Sequence, residues 1–341
     1  MNNIPKIKNY KHLIEYIKSK SSYEKILYLD LGIKIVRVIC YSEQFYSIVK
    51  KHLTLAILKE SQTYDTTIIL WQVDDIDYIL QNNELYIPIQ HRGAFVNDKS
   101  ITIYSIDKKT VFYGLKTLDI EEFAKEGHVL VKIFNRILKT ETTNLVHGAC
   151  IGLNNNGILL CARGKKGKST LSVLSMLKGF DYIADDYLLL EKNNEQLYAY
   201  PIYSIITLSP TMYNEMYDLL DGTRFISNNG IKTKYVINIA NLHDRFKKKY
   251  PIKLCMMLEF TEDKHSSIIE CSALEKGKAI TQTVFSTIKQ MNDELDKETI
   301  KKLINTLQSF PFYKIKLCSN IYDNVETLKK FLERFPINDN I

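Results

Sequence analysis

The stretch Ile158-Leu159-Leu160-Cys161-Ala162-Arg163-Gly164-Lys165-Lys166-Gly167-Lys168-Ser169-Thr170 decides the reading of this chain. Its apolar start, Ile158 to Ala162, predicts a buried strand. The strand leads into a loop that closes on Gly167-Lys168-Ser169-Thr170, the second half of a P-loop. In such a loop successive backbone N–H groups wrap the phosphates of a nucleotide. The lysine reaches the outer phosphates and the serine hydroxyl holds Mg²⁺. Gly164, Lys165, Lys166, Gly167, Lys168, Ser169 and Thr170 are therefore the candidate cofactor-binding residues, and Ser169 is a candidate metal ligand. A helix from Thr170 to Lys178 would point its positive end at the same phosphates. Ala162 occupies the position of the usual first glycine, and alanine is costly there only if the backbone needs positive φ.

Upstream, Leu145 to Leu153 reads as a strand carrying His147 and Gly148. Asn154-Asn155-Asn156-Gly157 reads as the turn of a hairpin into the P-loop strand, since Asn-Gly between apolar runs is a strong hairpin signal. Downstream, Gly179 stops the helix. A return strand, Tyr182 to Glu191, carries Asp185-Asp186, and Asp185 stands 17 residues after Lys168. That spacing holds one helix of about three turns and a strand, so both carboxylates come back to the phosphate end. One would hold Mg²⁺ while the other accepts a proton from an attacking hydroxyl or orients it. The residues do not say which aspartate has which task. His147, Lys168, Asp185 and Asp186 are the candidate catalytic set, and Ser169, Asp185 and Asp186 the candidate metal set.

This order of parts, with a tight hairpin before the loop and two aspartates soon after it, does not fit a motor or transport ATPase. It resembles the C-terminal domain of HPr kinase/phosphorylase and, more distantly, phosphoenolpyruvate carboxykinase. The matching residues are His147-Gly148, Gly167-Lys168-Ser169 and Ala184-Asp185-Asp186, and the likeness covers residues 145–191. Where the bifunctional regulators of sugar uptake carry an Arg-Gly-rich segment, this chain reads Tyr200-Pro201-Ile202-Tyr203-Ser204. The chain looks more like HPr-kinase-related proteins of peptide-tailoring systems, which include kinases of lasso-peptide precursors. Free-serine kinases share the core. The resemblance implies an α/β fold with a mixed-sheet P-loop core, use of ATP and Mg²⁺, and transfer of phosphate to serine on a peptide or protein. Free serine is the alternative acceptor, and a non-catalytic nucleotide-binding module, motivated by Ala162 and the crowded Arg163-Gly164-Lys165-Lys166 loop, is the third reading. Arg224, Lys232 and Lys234, in a Gly-containing loop, are candidates for clamping the transferred phosphate.

The flanking sequence bounds the rest. With 341 residues, 45% of them hydrophobic and 25% charged, the chain fits about two globular domains. Residues 1–118 predict a strand-rich α+β domain for docking a substrate or partner. They hold strands at 26–41, 66–72, 84–89, 101–106 and 111–115, and helices at 8–19 and 46–61. Residues 119–141 predict a connecting helix, with Asp119 as cap and an apolar face from Phe123 to Ile137. Residues 142–341 predict the kinase domain, with further strands at 198–208, 235–239 and 252–260. Its later helices are expected at 210–221, 276–291, 297–308 and 323–335. The six cysteines form no Cys-x-x-Cys pair, so buried free thiols are expected. A net charge of +7 suits phosphates and does not demand nucleic acid. The basic run Arg245 to Lys249 reads as a solvated loop. No secretory signal or apolar span is visible, so the expected location is the cytoplasm. Oligomeric state is left open.

Overall fold

A computed structural model describes residues 11–73, 94–96, 99–105, 109–116, 120, 123, 128–194, 196–216, 224–228, 233–239, 244–291 and 297–335. The chain is mixed α/β and divides into two compact units, Met1–Val129 and Leu130–Ile341.

The first unit holds α1 (Lys11–Lys20), β1 (Lys25–Asp30), β2 (Ile35–Cys40), α2 (Glu43–His52), β3 (Ile57–Leu58), β4 (Thr66–Val73), β5 (Ala94–Val96), β6 (Ser100–Tyr104) and β7 (Thr110–Lys116). They form a seven-stranded sheet in the order β3-β1-β2-β4-β7-β6-β5. The run 26–41, expected as one strand, is a hairpin. Gly32 turns it at φ 86°, with its N–H donated to the Asp30 side chain. The helix expected over 46–61 starts earlier and stops at His52. The Thr54 hydroxyl then donates to the carbonyl of Lys50, and Ile57–Leu58 joins the edge of β1. The strand expected at 84–89 lies outside the described residues. Trp71 on β4 is buried and sits opposite Gly114 on β7.

The second unit holds α3 (Val131–Leu138), β8 (Thr143–His147), β9 (Ala149–Leu153), β10 (Asn156–Cys161), α4 (Lys168–Leu177), β11 (Asp181–Ala184), β12 (Tyr187–Asn193), β13 (Gln196–Pro201) and β14 (Ile205–Leu208). These are followed by α5 (Pro210–Glu215), β15 (Arg224–Asn228), β16 (Thr233–Asn238), β17 (Tyr250–Phe260), β18 (Ser267–Glu270), α6 (Ala273–Met291), α7 (Lys297–Gln308), β19 (Phe312–Leu317) and α8 (Ile321–Arg334). The connecting helix is not continuous where described. Leu130 takes a left-handed φ of 63°, and α3 begins only after it.

The main sheet runs β11-β9-β10-β17-β13-β12-β8, with β18 and β19 attached through β17. The strand expected over 145–153 is two strands, broken at Gly148, and that expected over 182–191 is two strands, broken at Asp185-Asp186. β9 and β11 pair at one end of the path, β8 and β12 at the other. The chain therefore crosses from one end of the sheet to the other at Gly148, and again at Asp185-Asp186. The two breaks meet, because the Gly148 N–H donates to the Asp186 carbonyl at 3.0 Å.

The hairpin turn sits two residues before the Asn-Gly pair. Asn154 and Asn155 both take positive φ, 51° and 61°, as a two-residue turn of this hand requires. Asn156 and Gly157 already pair with Leu153 and Gly152. Gly157 and Gly152 are small for another reason: a Cβ at Gly152 would lie 2.1 Å from the Tyr250 ring, and one at Gly157 2.2 Å from the Pro251 carbonyl oxygen. Tyr250 thereby reaches across the hairpin. Its hydroxyl donates to Asp181 and accepts from the Asn155 N–H, both at 3.0 Å.

The basic run is a largely exposed loop, as expected, and it also makes contacts. Arg245 donates to the Gly179 carbonyl just past α4, Lys247 pairs with Asp181 at 3.3 Å, and Lys249 lies 4.0 Å over the Tyr198 ring. The Lys247 N–H also donates to the Tyr182 carbonyl. A run of cations thus straps the open edge of β11. Five of the six cysteines are buried and all are free thiols.

Gly114→Ala would place a Cβ 2.6 Å from the Trp71 ring. Overpacking of this kind costs about 1–3 kcal/mol, and chemical denaturation should report that loss. A second measurement concerns Asp323 at the start of α8, which accepts from the Ser266 N–H and hydroxyl, both at 2.7 Å. These bonds hold its carboxyl at about 2, below the ordinary 3.8. A depressed acid stabilises the fold above its unfolded value and loses that contribution as pH falls from about 4 toward 2. Asp323→Asn should therefore cost about 1–2 kcal/mol at neutral pH and flatten the acid limb of the stability curve. Superimposable acid limbs would refute the assignment.

Candidate functional site

Three segments converge through strand register. β9 is antiparallel to both β10 and β11, with Cys150 opposite Leu159 on one side and Ala184 on the other. β10 and β11 consequently run the same way and end at the same edge of the sheet, two strand spacings or about 10 Å apart. The loop after β10 is 162–167, and the residues after β11 are Asp185 and Asp186.

The loop takes two left-handed steps and is rich in exposed cations. Gly167, the residue before α4, has φ 88°, a conformation that costs a side-chain-bearing residue about 1–2 kcal/mol. Lys165, at φ 65°, makes the other left-handed step. Ala162 is absent from the positive-φ residues, so alanine costs no backbone strain where a glycine is usual. That removes the motive for a non-catalytic reading drawn from this residue. A Cβ at Gly164 would meet nothing within 4 Å, which leaves its face of the loop open to a ligand. Arg163, Lys165 and Lys166 are exposed around it, and together with the N-terminus of α4 they concentrate positive potential. Lys168 points the other way. It is 5% exposed, and its ammonium donates to the carbonyls of Ala162 at 2.8 Å and Arg163 at 3.3 Å. Ser169 and Thr170 follow in the first turn of α4 and are half-buried. The helix starts two residues earlier than Thr170.

The acidic turn carries the rest. Asp185 is buried, and Asp186 takes a left-handed φ of 67°, which aspartate tolerates better than most residues. His147 Nε2 lies 3.7 Å from Asp186 Oδ1, and the two residues are side by side because His147 pairs with Tyr187 across β8 and β12. The Tyr187 ring packs edge-on against the imidazole, with centroids 5.4 Å apart. Tyr182, on β11, is fully buried. Desolvation first, then the charges of Asp185 and Asp186, push its phenol well above the ordinary value, so it stays a neutral wall behind the carboxylates.

Two threonines hold this group, and neither is legible as a motif. Thr207 on β14 donates to Asp186 Oδ2 at 3.3 Å. Thr287 on α6 accepts the His147 N–H at 3.0 Å while donating to the Thr283 carbonyl. They come from 21 and 140 residues away in sequence, so no spacing rule finds them.

The structure brings His147, Asp185 and Asp186 together and sets the loop 164–170 at the same sheet edge. Of the clamp candidates, Arg224 is on β15 and Lys234 on β16, in strands rather than a loop, and Lys232 lies outside the described residues. Both strands belong to the three-stranded sheet β14-β16-β15. Register sets Arg224 level with Ile206, beside Thr207 and two strands away from it.

Among the described residues no group of three or more His, Cys, Asp or Glu could hold a metal by itself. Magnesium needs no such cage, since it takes one or two carboxylates plus phosphate oxygens and water. Ser169 with Asp185 or Asp186 fits that donor set. No described helix is long and apolar enough to cross a membrane.

Gly167→Ala and Gly164→Ala separate the two glycines. The first should lower stability by about 1–2 kcal/mol, with its Cβ 3.1 Å from Leu317. The second should leave the unfolding curve unchanged. Equal losses would contradict the different backbone roles.

No protein-family model matches the chain, and no curated protein matches it. Among solved structures it is similar to the Hpr(Ser) kinase/phosphatase from Coxiella burnetii, at 14% identity over 56% of this chain and 94% of that chain, with a TM-score of 0.29. The likeness is weak, and nothing about activity follows from it.

Proposed function

We propose that Leu130–Ile341 is an ATP- and Mg²⁺-dependent phosphotransferase acting on a hydroxyl, with serine of a peptide or protein as the favoured acceptor. The observation that carries this reading is the shared sheet edge. A cationic, left-handed loop opening a helix stands two strands, about 10 Å, from a buried acidic turn, which puts phosphate binding and an acceptor carboxylate on one side of the sheet. The backbone N–H groups of 164–168 would bind the phosphates. Lys168 would exchange the carbonyls of Ala162 and Arg163 for phosphate oxygens. Ser169 and one aspartate would hold Mg²⁺, which when bound neutralises charge on the transferring group. The other aspartate would take the hydroxyl proton. Asp186 suits that task because His147 and Thr207 fix its carboxylate from two sides, and Asp185, more deeply buried, suits the metal. Arg224 and Lys234 remain candidates for the clamp. Their sheet meets the site at Thr207.

Transfer from labelled ATP to serine-containing peptides, with free serine in parallel, tests this. Lys168→Ala and Asp186→Asn should each reduce transfer at least ~100-fold, the scale set by general-base and electrostatic contributions. Asp186→Asn keeps the left-handed backbone, so its loss reads chemistry and not folding. Unchanged transfer in both variants would remove the site. Product from free serine alone would move the acceptor to a small molecule.

A further inference from the structure

The loop has two flanks, and only one is used by the chemistry proposed. β11 and its aspartates lie on the β9 side of β10, and β17 lies on the other side. β17 is parallel to β10, with Met257 opposite Cys161, so it runs three residues past the end of β10 and finishes at Phe260 beside the loop. β19 follows in parallel and pairs Leu317 with Phe260.

If the outer phosphate faces Asp185 and Asp186, the inner phosphates and the nucleoside leave toward β17. Phe260 waits on that flank. A Cβ at Gly167 would lie 3.7 Å from its Cε1 and Cζ, and the Lys166 ammonium stands 5.7 Å from the ring centroid. The ring is 56% exposed although it ends a strand whose residues from Leu254 to Leu258 are all buried. One exposed aromatic is ordinary. An exposed aromatic at the carboxyl end of a parallel strand, next to the loop and on the flank opposite β11, sits where open α/β sheets take their ligands.

We infer that Phe260 is the platform on which the nucleobase stacks, with Lys166 against the ring beside the phosphates. The inference rests on the nucleotide reading of residues 162–170. A phenyl ring offers area without hydrogen-bonding groups, so it contributes affinity for the base as such.

The test compares two probes by calorimetry on the full chain with Mg²⁺: ATP, which carries a base, and inorganic tripolyphosphate, which does not. Phe260→Ala should weaken ATP about 5- to 100-fold, the range of base–aromatic stacking, and leave tripolyphosphate unchanged. Phe260→Trp should retain ATP binding, and Phe260→Leu should resemble alanine. Lys168→Ala should weaken both probes, which reads the loop independently of Phe260. An unaltered ATP affinity in Phe260→Ala, or equal loss of both probes, overturns the platform while leaving the loop intact. Wild-type protein that binds neither probe overturns the nucleotide reading and the platform with it. Matching thermal melts for the exposed-site variants guard against a folding effect.

Discussion

Two bends that must coincide govern the second unit. The strand pair β8–β9 and the strand pair β11–β12 each leave one end of the sheet and enter the other, and they do so at the same place. The contact that ties them is the Gly148 N–H on the Asp186 carbonyl. A side-chain period of two means that a one-residue slip in either ladder would turn its residues to the opposite face. His147 and Asp186 would then no longer meet. The bend is therefore what places them, and local sequence around either residue could not do so alone.

The surroundings hold that junction from several directions. Tyr250 fills the space left by Gly152 and reaches Asp181 and the hairpin turn. Arg245 takes the carbonyl at Gly179, where α4 has ended. Thr287 satisfies the His147 N–H from a helix that begins over a hundred residues later. The Tyr250 and Thr287 contacts are buried or partly buried, and an unmade one would leave a donor or acceptor without water. The acidic turn is fixed by groups remote in sequence, while the loop is fixed by its own backbone.

That difference explains what could be read in advance. The loop, α4 and its glycine stop are local events, and the residues Gly167-Lys168-Ser169-Thr170 and Gly179 announce them. The Asn-Gly signal found the hairpin, and the turn fills only the first half of the expected four residues, because Gly157 answers to Pro251 rather than to positive φ. The segments 145–153 and 182–191 read as single strands because both sides of each bend are buried, and neither Gly148 nor Asp185-Asp186 by itself tells that the chain changes ends of the sheet. Strand β19, with its alternating lysines, was missed because its pairing with β17 is set from more than fifty residues away. Thr207 and Thr287 are ordinary residues in sequence and become informative only through their partners.

Asp186 combines two demands in one residue. Its backbone is left-handed at φ 67° and its side chain is the carboxylate that His147 and Thr207 address. Glycine meets the first demand without the second. Glutamate brings the charge on a longer arm and lacks the short side chain that eases this conformation. Asparagine keeps the geometry and drops the charge. Aspartate carries the anion on the short arm that this backbone accepts most readily, so a substitution at 186 trades the ease of the turn against the charge.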